Sequence, residues 1–351
     1  MISPALLALV CCPDCRLGLA TVSDGLQCRG CGRQVSAAGP YLDLRPRETA
    51  GEPTKYLDEA LHADGRQATV SPPLLSAAIR NDMLRRFLQP GPDDRLVDLG
   101  CGSGRMLLWN RTAGAQFVGV DVSPFFSAEA LAGLDLVLGD LRRLPLTSGV
   151  FTKAWSLDVA EHLTHDDLDD VLAEAARVLA PGGQLFLYSH VRKGSWIAAF
   201  PRFVNRIAAR LDRAGLIDLQ QERLRKSDHL NPLEDLEDLK RTVTNAGFRI
   251  ARLRYYTPVV GAIVENLLLR LAEQALAWRL RRRAASADGA QVVGPRADVL
   301  RDVRAHGKRL AATGVTGVIL RVLTWLMKLD IVLFGRVPAG PFFALLVKEP
   351  R

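Results

Sequence analysis

Residues 96–104, Leu-Val-Asp-Leu-Gly-Cys-Gly-Ser-Gly, constrain the fold of this 351-residue chain more than any other stretch. A short apolar run passes into three glycines at alternate positions, and a helical pattern opens at Arg105. A strand, a glycine-rich turn and a helix in that order begin a parallel α/β unit. Bare glycine backbone lets a ligand approach closely, and the amides at a helix start favour polar or anionic ligand groups. A dinucleotide fingerprint would continue to glycine or alanine at position 105, where this chain has Arg105.

The later segments repeat the alternation of strand and helix. Phe117-Val-Gly-Val-Asp121 is a second strand ending in an acid about twenty residues beyond the first glycine, and a carboxylate there can accept both hydrogen bonds of a ribose diol. Then come Leu138-Gly-Asp-Leu-Arg-Arg-Leu-Pro-Leu146, Phe151-Thr-Lys-Ala-Trp-Ser-Leu-Asp-Val-Ala-Glu-His162 and Arg177-Val-Leu-Ala-Pro-Gly-Gly-Gln-Leu-Phe-Leu-Tyr188. With Asp98-x-Gly100-x-Gly102-x-Gly104, this ordered set resembles class I S-adenosylmethionine (SAM) dependent methyltransferases, with a flavour close to the ubiquinone and menaquinone biosynthesis enzymes. The resemblance runs from about residue 90 to 260 and resumes at the end of the chain. It implies a Rossmann-like, seven-stranded α/β sheet. It further implies a cofactor site lined by Asp98, Gly100, Cys101, Gly102, Gly104, Asp121, Val122, Asp140, Leu141 and Leu157, with Asp140 receiving the adenine amino group. One departure is Thr152, where relatives commonly have Asp.

Methyl transfer is an in-line displacement in which the cofactor supplies an activated methyl and the protein supplies alignment. A base is needed only when the acceptor must lose a proton. Candidates stand at the carboxyl ends of strands four and five, the usual crevice of such sheets. His162 is the first, beside Glu161; His190 and His229 follow. Asp158, Glu161 and His162 together have the donors of a divalent-cation site, as some quinone O-methyltransferases use. The bland reading is that they shape the turn before a helix capped by Thr164-x-x-Asp167.

Near the N-terminus, Cys12-Pro-Asp-Cys15 and Cys28-Arg-Gly-Cys31 form two Cys-x-x-Cys knuckles twelve residues apart. That spacing aims four thiolates at one tetrahedral Zn2+, and four protein ligands leave no open position, so the expected site is structural. Cys11 competes with Cys12, but only Cys12 keeps the spacing. The segment resembles the ribbons of tRNA methyltransferase activator subunits and of ribosomal RNA guanine-N1 methyltransferases. Disulfides are the competing reading, disfavoured without a secretion signal.

Basic residues exceed acidic ones by 46 to 38, with the excess in 192–226 and 270–309. The expected organisation is a ribbon over 1–46, a linker and N-terminal helices over 47–90, the cofactor core over 91–258, a helical insertion over 259–337 and a last core strand over 338–351. Two amphipathic helices near 262–283 and 313–334 set Val264, Leu267, Leu268, Leu271, Ala275 and Trp278, and Val315, Val318, Val322, Leu326 and Leu329, as apolar faces against Arg321, Thr324 and Lys328. Such faces pack on the domain, pair in a homodimer or meet a membrane surface. Segment 192–225, with Trp196, Phe200 and Phe203 among arginines, reads as a pocket lid or as a stacking surface for unpaired bases. No apolar stretch is long enough to span a bilayer, and a cytoplasmic protein, peripherally membrane-associated at most, is expected. Three functions compete: a methyltransferase for a small lipophilic metabolite, an RNA methyltransferase that uses ribbon and charge, and a non-catalytic SAM-binding or scaffold protein.

Overall fold

A computed structural model describes residues 3–49, 55–57, 70–227, 229–256, 258–288, 314–338 and 340–350. The N-terminal helix α1 (Pro4–Leu9) is capped by Ser3, whose hydroxyl accepts from the Leu6 amide. The strands β1 (Leu19–Val22), β2 (Gly25–Cys28) and β3 (Gln34–Val35) make a small antiparallel sheet that carries the cysteine knuckles.

The main sheet has eight strands in the order β10-β11-β9-β8-β5-β6-β7-β4. Its members are β4 (Leu42–Asp43), β5 (Arg95–Leu99), β6 (Gln116–Asp121), β7 (Asp135–Leu138), β8 (Phe151–Leu157), β9 (Leu179–His190), β10 (Phe248–Tyr255) and β11 (Pro341–Lys348). Only β11, inserted between β9 and β10, runs against its neighbours. The seven expected strands are all there. The eighth, β4, lies inside the predicted 1–46 ribbon yet pairs in parallel with β7, so sheet membership crosses that boundary. The order reverses at β5, which has β6 on one side and β8 on the other. Ligands of open α/β sheets bind outside the carboxyl end of the strands at such a switch point.

The remaining helices are α2 (Leu75–Leu88), α3 (Arg105–Asn110), α4 (Ala128–Gly133), α5 (His165–Val178), α6 (Ala199–Arg213), α7 (Gln220–Lys226), α8 (Leu236–Asn245), α9 (Val259–Ile263), α10 (Leu269–Asp288) and α11 (Gly314–Phe334). Helix α5 shows how the sequence builds one. Thr164 accepts from the Asp167 amide, and its hydroxyl donates back to the Asp167 carboxylate at 2.7 Å. Leu168, Val171, Leu172, Ala175 and Val178 then recur at helical spacing and are buried, each Leu contributing about 2 kcal/mol. At Thr152 the missing carboxylate is replaced locally: the hydroxyl accepts from the Arg95 amide and donates to Asp94 at 2.8 Å, while Lys153 pairs with the same Asp94.

The helical additions differ from the sequence reading. On α11 the buried side chains include Thr324, Met327 and Asp330, whereas Val318 and Val322 of the expected apolar face are exposed. Near α10, Val264 of the expected stripe is buried, whereas Leu268, Leu271 and Trp278 of the same stripe are exposed and Ala277, outside it, is buried. The polar groups win the interior because they terminate backbone: Asp330 accepts from the Val260 and Gly261 amides, both at 2.9 Å, and Thr324 accepts from Leu75. Residues 50–54 and 58–69 of the 47–90 segment, the side chains of Val315 and 280–288, and residues 289–309 of the basic stretch lie outside what is described.

Candidate functional site

The glycine turn follows β5 at the switch point. Gly100 has φ +84°, and a Cβ there would come within 2.4 Å of Val159 Cγ2, so the turn presses directly on the exit of β8. Gly102 has φ +52° and faces open space, leaving a backbone surface for a ligand. Its amide donates to Asp121 Oδ2 at 2.7 Å, while Asp121 Oδ1 accepts from the Ser123 amide and hydroxyl. The acid at the end of β6 is thereby fixed against the turn, with carboxylate lone pairs left over. Asp98 is 2% exposed and its Oδ2 has no partner. Burial first, and then the charge of Asp121, pushes its carboxyl up to about 8.

The other predicted cofactor residues behave unequally. Gly104 starts α3 in the left-handed region and Cys101 is buried beside it. Val122, Leu141 and Leu157 are half-buried around the same crevice mouth. Asp140 is engaged within the chain: both of its oxygens accept from Arg142, at 3.0 and 2.7 Å, and it caps the turn Leu141–Arg143. Any contact to a ligand amine there has to share the carboxylate with Arg142.

A second cluster stands at the exit of β8, against the same turn. Asp158 takes φ +57°, an unusual conformation for a residue with a side chain. Its carboxylate pairs with Arg80 of α2, and that guanidinium lies 5.2 Å from the centroid of the Tyr188 ring. Glu161 is 1% exposed and accepts from Ser189 Oγ at 3.2 Å. Its backbone carbonyl accepts from the Leu230 and Asn231 amides at 2.8 and 2.9 Å, which docks the loop carrying His229. The His162 and His229 rings meet edge to face with centroids 4.6 Å apart. His190 Nδ1 lies 3.7 Å from Glu161 Oε1. Burial, then the nearby Asp158 charge, pushes Glu161 up to about 8, and burial pushes His190 down to about 4.

The fold thus gathers all four catalytic candidates, Glu161, His162, His190 and His229, from three separate segments. It does not assemble the Asp158, Glu161 and His162 cation set. The residues whose ligand atoms lie within 4.8 Å of one another are Glu161, His162 and His229, because Arg80 draws Asp158 away. Arg80 and Tyr188 were missed as site residues. Little in the sequence singles out Arg80, which shares α2 with Arg85 and Arg86, and Tyr188 reads only as part of the fifth strand.

The ribbon cysteines converge as the spacing required. Cys12, Cys15, Cys28 and Cys31 lie together, with sulfurs 3.6 Å apart for Cys12 and Cys31 and 3.3 Å for Cys15 and Cys28. Cys11 stands outside this group: its backbone amide donates to the Pro145 carbonyl and it bridges Gly18. Against the raising effect of its own burial, the amides of Gly30 and Cys31 hold the Cys28 thiol below its ordinary range. Cys12 goes the other way, burial pushing its thiol up to about 12.

Known proteins resemble the central segment of the chain. Residues 97–187 match the family model described as a methyltransferase domain. The chain is 30% identical over 139 residues to 24-methylenesterol C-methyltransferase 2 of Oryza sativa subsp. japonica, covering 37% of this chain and 38% of the relative. It is 31% identical over 126 residues to the malonyl-[acyl-carrier protein] O-methyltransferase of Serratia marcescens, covering 34% and 48%. The chain spans less than half the length of these curated relatives. Among solved structures, it aligns with phosphoethanolamine N-methyltransferase 2 of Haemonchus contortus in complex with SAM at TM-score 0.45 and 19% identity, covering 87% of this chain and 60% of that one.

Proposed function

We propose that the chain is a SAM-dependent methyltransferase acting on a small, lipophilic acceptor. The observation that carries this is the glycine turn locked to Asp121 at the switch point, inside the segment that matches a methyltransferase domain. The residues fit the cofactor: Gly102 presents open backbone, Asp121 retains acceptor capacity toward a diol, and Val122, Leu141 and Leu157 offer partly exposed apolar surface. When bound, SAM supplies the activated methyl group. The chain's work is to align that methyl with the acceptor and to take up or pass on a proton where the acceptor carries one. His162, at the cluster beside the turn, is the leading group for that proton, with Glu161, His190 and His229 around it.

Support for a lipophilic acceptor comes from the helical additions. Trp196 is 82% exposed, Trp278 55%, Val322 52% and Trp325 62%, on or beside helices that also carry arginines. Apolar residues set among basic ones suit the surface of an anionic membrane. No described helix is long and apolar enough to cross a membrane. The ribbon fits a structural zinc held by Cys12, Cys15, Cys28 and Cys31.

Transfer of labelled methyl from SAM into lipid, metabolite and RNA fractions tests the reading, with label expected in the lipid or metabolite fraction. Label in RNA, with a steep loss of binding as salt rises, would replace the acceptor class. Calorimetry that finds no SAM binding would remove the cofactor role itself.

A further inference from the structure

We propose that Glu161, His162 and His229 form an open site for a divalent transition metal of the zinc type, which selects a hydroxyl acceptor. The catalytic half of this statement rests on the methyltransferase reading above; the metal half stands by itself.

The ligand set is assembled by the fold. Glu161 and His162 leave β8 on the turn Ala160–His162, and His229 arrives from the loop between α7 and α8. That loop is pinned on two sides. Its Leu230 and Asn231 amides donate to the Glu161 carbonyl, and its Leu230 and Asn231 carbonyls accept from Arg192 at 2.8 and 2.6 Å. His229 is therefore held against His162, and one ligand atom from each of the three residues falls within 4.8 Å of the others. Two imidazoles and a mostly buried carboxylate at that separation match the charge and donor types of a divalent ion. The carboxylate is oriented by Ser189, a neighbour of the kind that positions metal ligands. His190 Nδ1, buried and without a hydrogen-bond partner, faces the same carboxylate.

Two imidazoles among three ligands favour zinc, iron or cobalt over magnesium, which takes oxygen ligands and water. Asp158, the oxygen donor that would tip the set toward magnesium, is committed to Arg80. Three protein ligands leave coordination positions open, unlike the closed four-cysteine ribbon. The site stands beside the cofactor turn, because Gly100 packs on Val159 and Glu161 follows two residues later. An acceptor hydroxyl directed by the site acidifies, since a bound cation lowers the pKa of coordinated oxygen. With the ion and SAM bound, transfer would form the oxygen–methyl bond, break the sulfur–methyl bond with the electron pair left on sulfur, and release the hydroxyl proton to water, His162 then serving as a ligand instead of as the proton acceptor.

The test is cobalt titration of the full chain after metal removal. Two equivalents are expected: one gives a sulfur-to-cobalt charge-transfer band from the ribbon, and the second gives visible absorption without it. E161Q and H229Q should each weaken the second equivalent on the order of 100-fold while leaving the sulfur band, which also reports that the fold is intact. A wild type that binds only the sulfur-ligated equivalent, or variants that keep the second one, would overturn the site. Calorimetry with SAM on the same samples separates the two readings: loss of SAM binding with both cobalt equivalents retained sinks the methyltransferase reading alone. A product methylated on nitrogen or carbon overturns the hydroxyl assignment.

Discussion

The ribbon and the C-terminal helices are both additions to the central sheet, yet they join it by opposite physics. The ribbon is continuous with the interior. Leu6, Leu9, Leu19, Leu26, Leu42 and Leu44 belong to the same buried cluster as Val97, Val118 and Ala154. β4 extends the sheet, Thr147 donates to the Leu9 carbonyl, and Arg16 pairs with Glu174. Among the described residues, the helices reach the core through Ala262, Val264, Met327 and the carboxylate of Asp330, with Val260, Leu269, Leu323 and Ile331 packed beside them, yet they also turn large apolar side chains outward. An addition buried in this way serves stability, and one that exposes apolar surface serves contact with something else.

Four measurements can break or sharpen that contrast. The largest effect is expected from Cys28→Ser, which removes one sulfur of the four-cysteine cluster proposed to hold zinc. Because the ribbon hairpin shares the core, global stability should fall by about 4 kcal/mol or more in denaturant titration; an unchanged midpoint would make the ribbon an independent module. Next is Glu174→Ala. This carboxylate accepts from Arg16, from Arg177 and from the Leu144 amide, so its loss should cost about 3 kcal/mol. Arg16→Ala should cost below about 1 kcal/mol, since Arg16 is largely exposed. Equal costs would show that the anchor is not Glu174.

The third measurement uses pH. Against the raising effect of its burial, Arg177 and Arg16 hold Glu174 below its ordinary range, so its contribution is present at neutral pH and is lost as pH falls through that lowered value. Burial holds Asp330 above the ordinary range, so its contribution is present in acid and is lost as pH rises through the raised value. Hydrogen exchange corrected for intrinsic rates should therefore show protection in 259–263 declining from mild acid toward neutrality, while protection around 144–147 declines only on stronger acidification. The same direction in both segments would remove the distinction. The smallest stability change belongs to Trp325→Glu on the outer face of α11, within about 0.5 kcal/mol. Sedimentation with anionic vesicles should nonetheless fall sharply; binding that survives would direct attention to self-association of that face.

Legibility varied with the range of the interaction. The glycine turn, the capping box at Thr164 and the two cysteine knuckles were readable because backbone torsion, capping and metal-ligand spacing act over a few residues. The exchange of Asp158 for His229 was not readable, because it depends on an ion pair to Arg80 and on a loop docked to the Glu161 carbonyl. Which way helix α11 turns its apolar stripe was unreadable for a related reason. Its periodicity marks an apolar stripe, but the backbone ends of a neighbouring helix needed Asp330, and satisfying buried amides outranked burying one more valine.

Alone, then, the sequence marked the alternation of strands and helices, the glycine turn and the two cysteine knuckles, all set by local torsion, alternation and spacing. Tertiary structure decided which side of the added helices faces water, that the ribbon is welded to the sheet through β4, and which three side chains meet beside the turn. Those outcomes turn on competition among distant partners for the same carboxylate or amide, and such competition is settled only when the chain is closed.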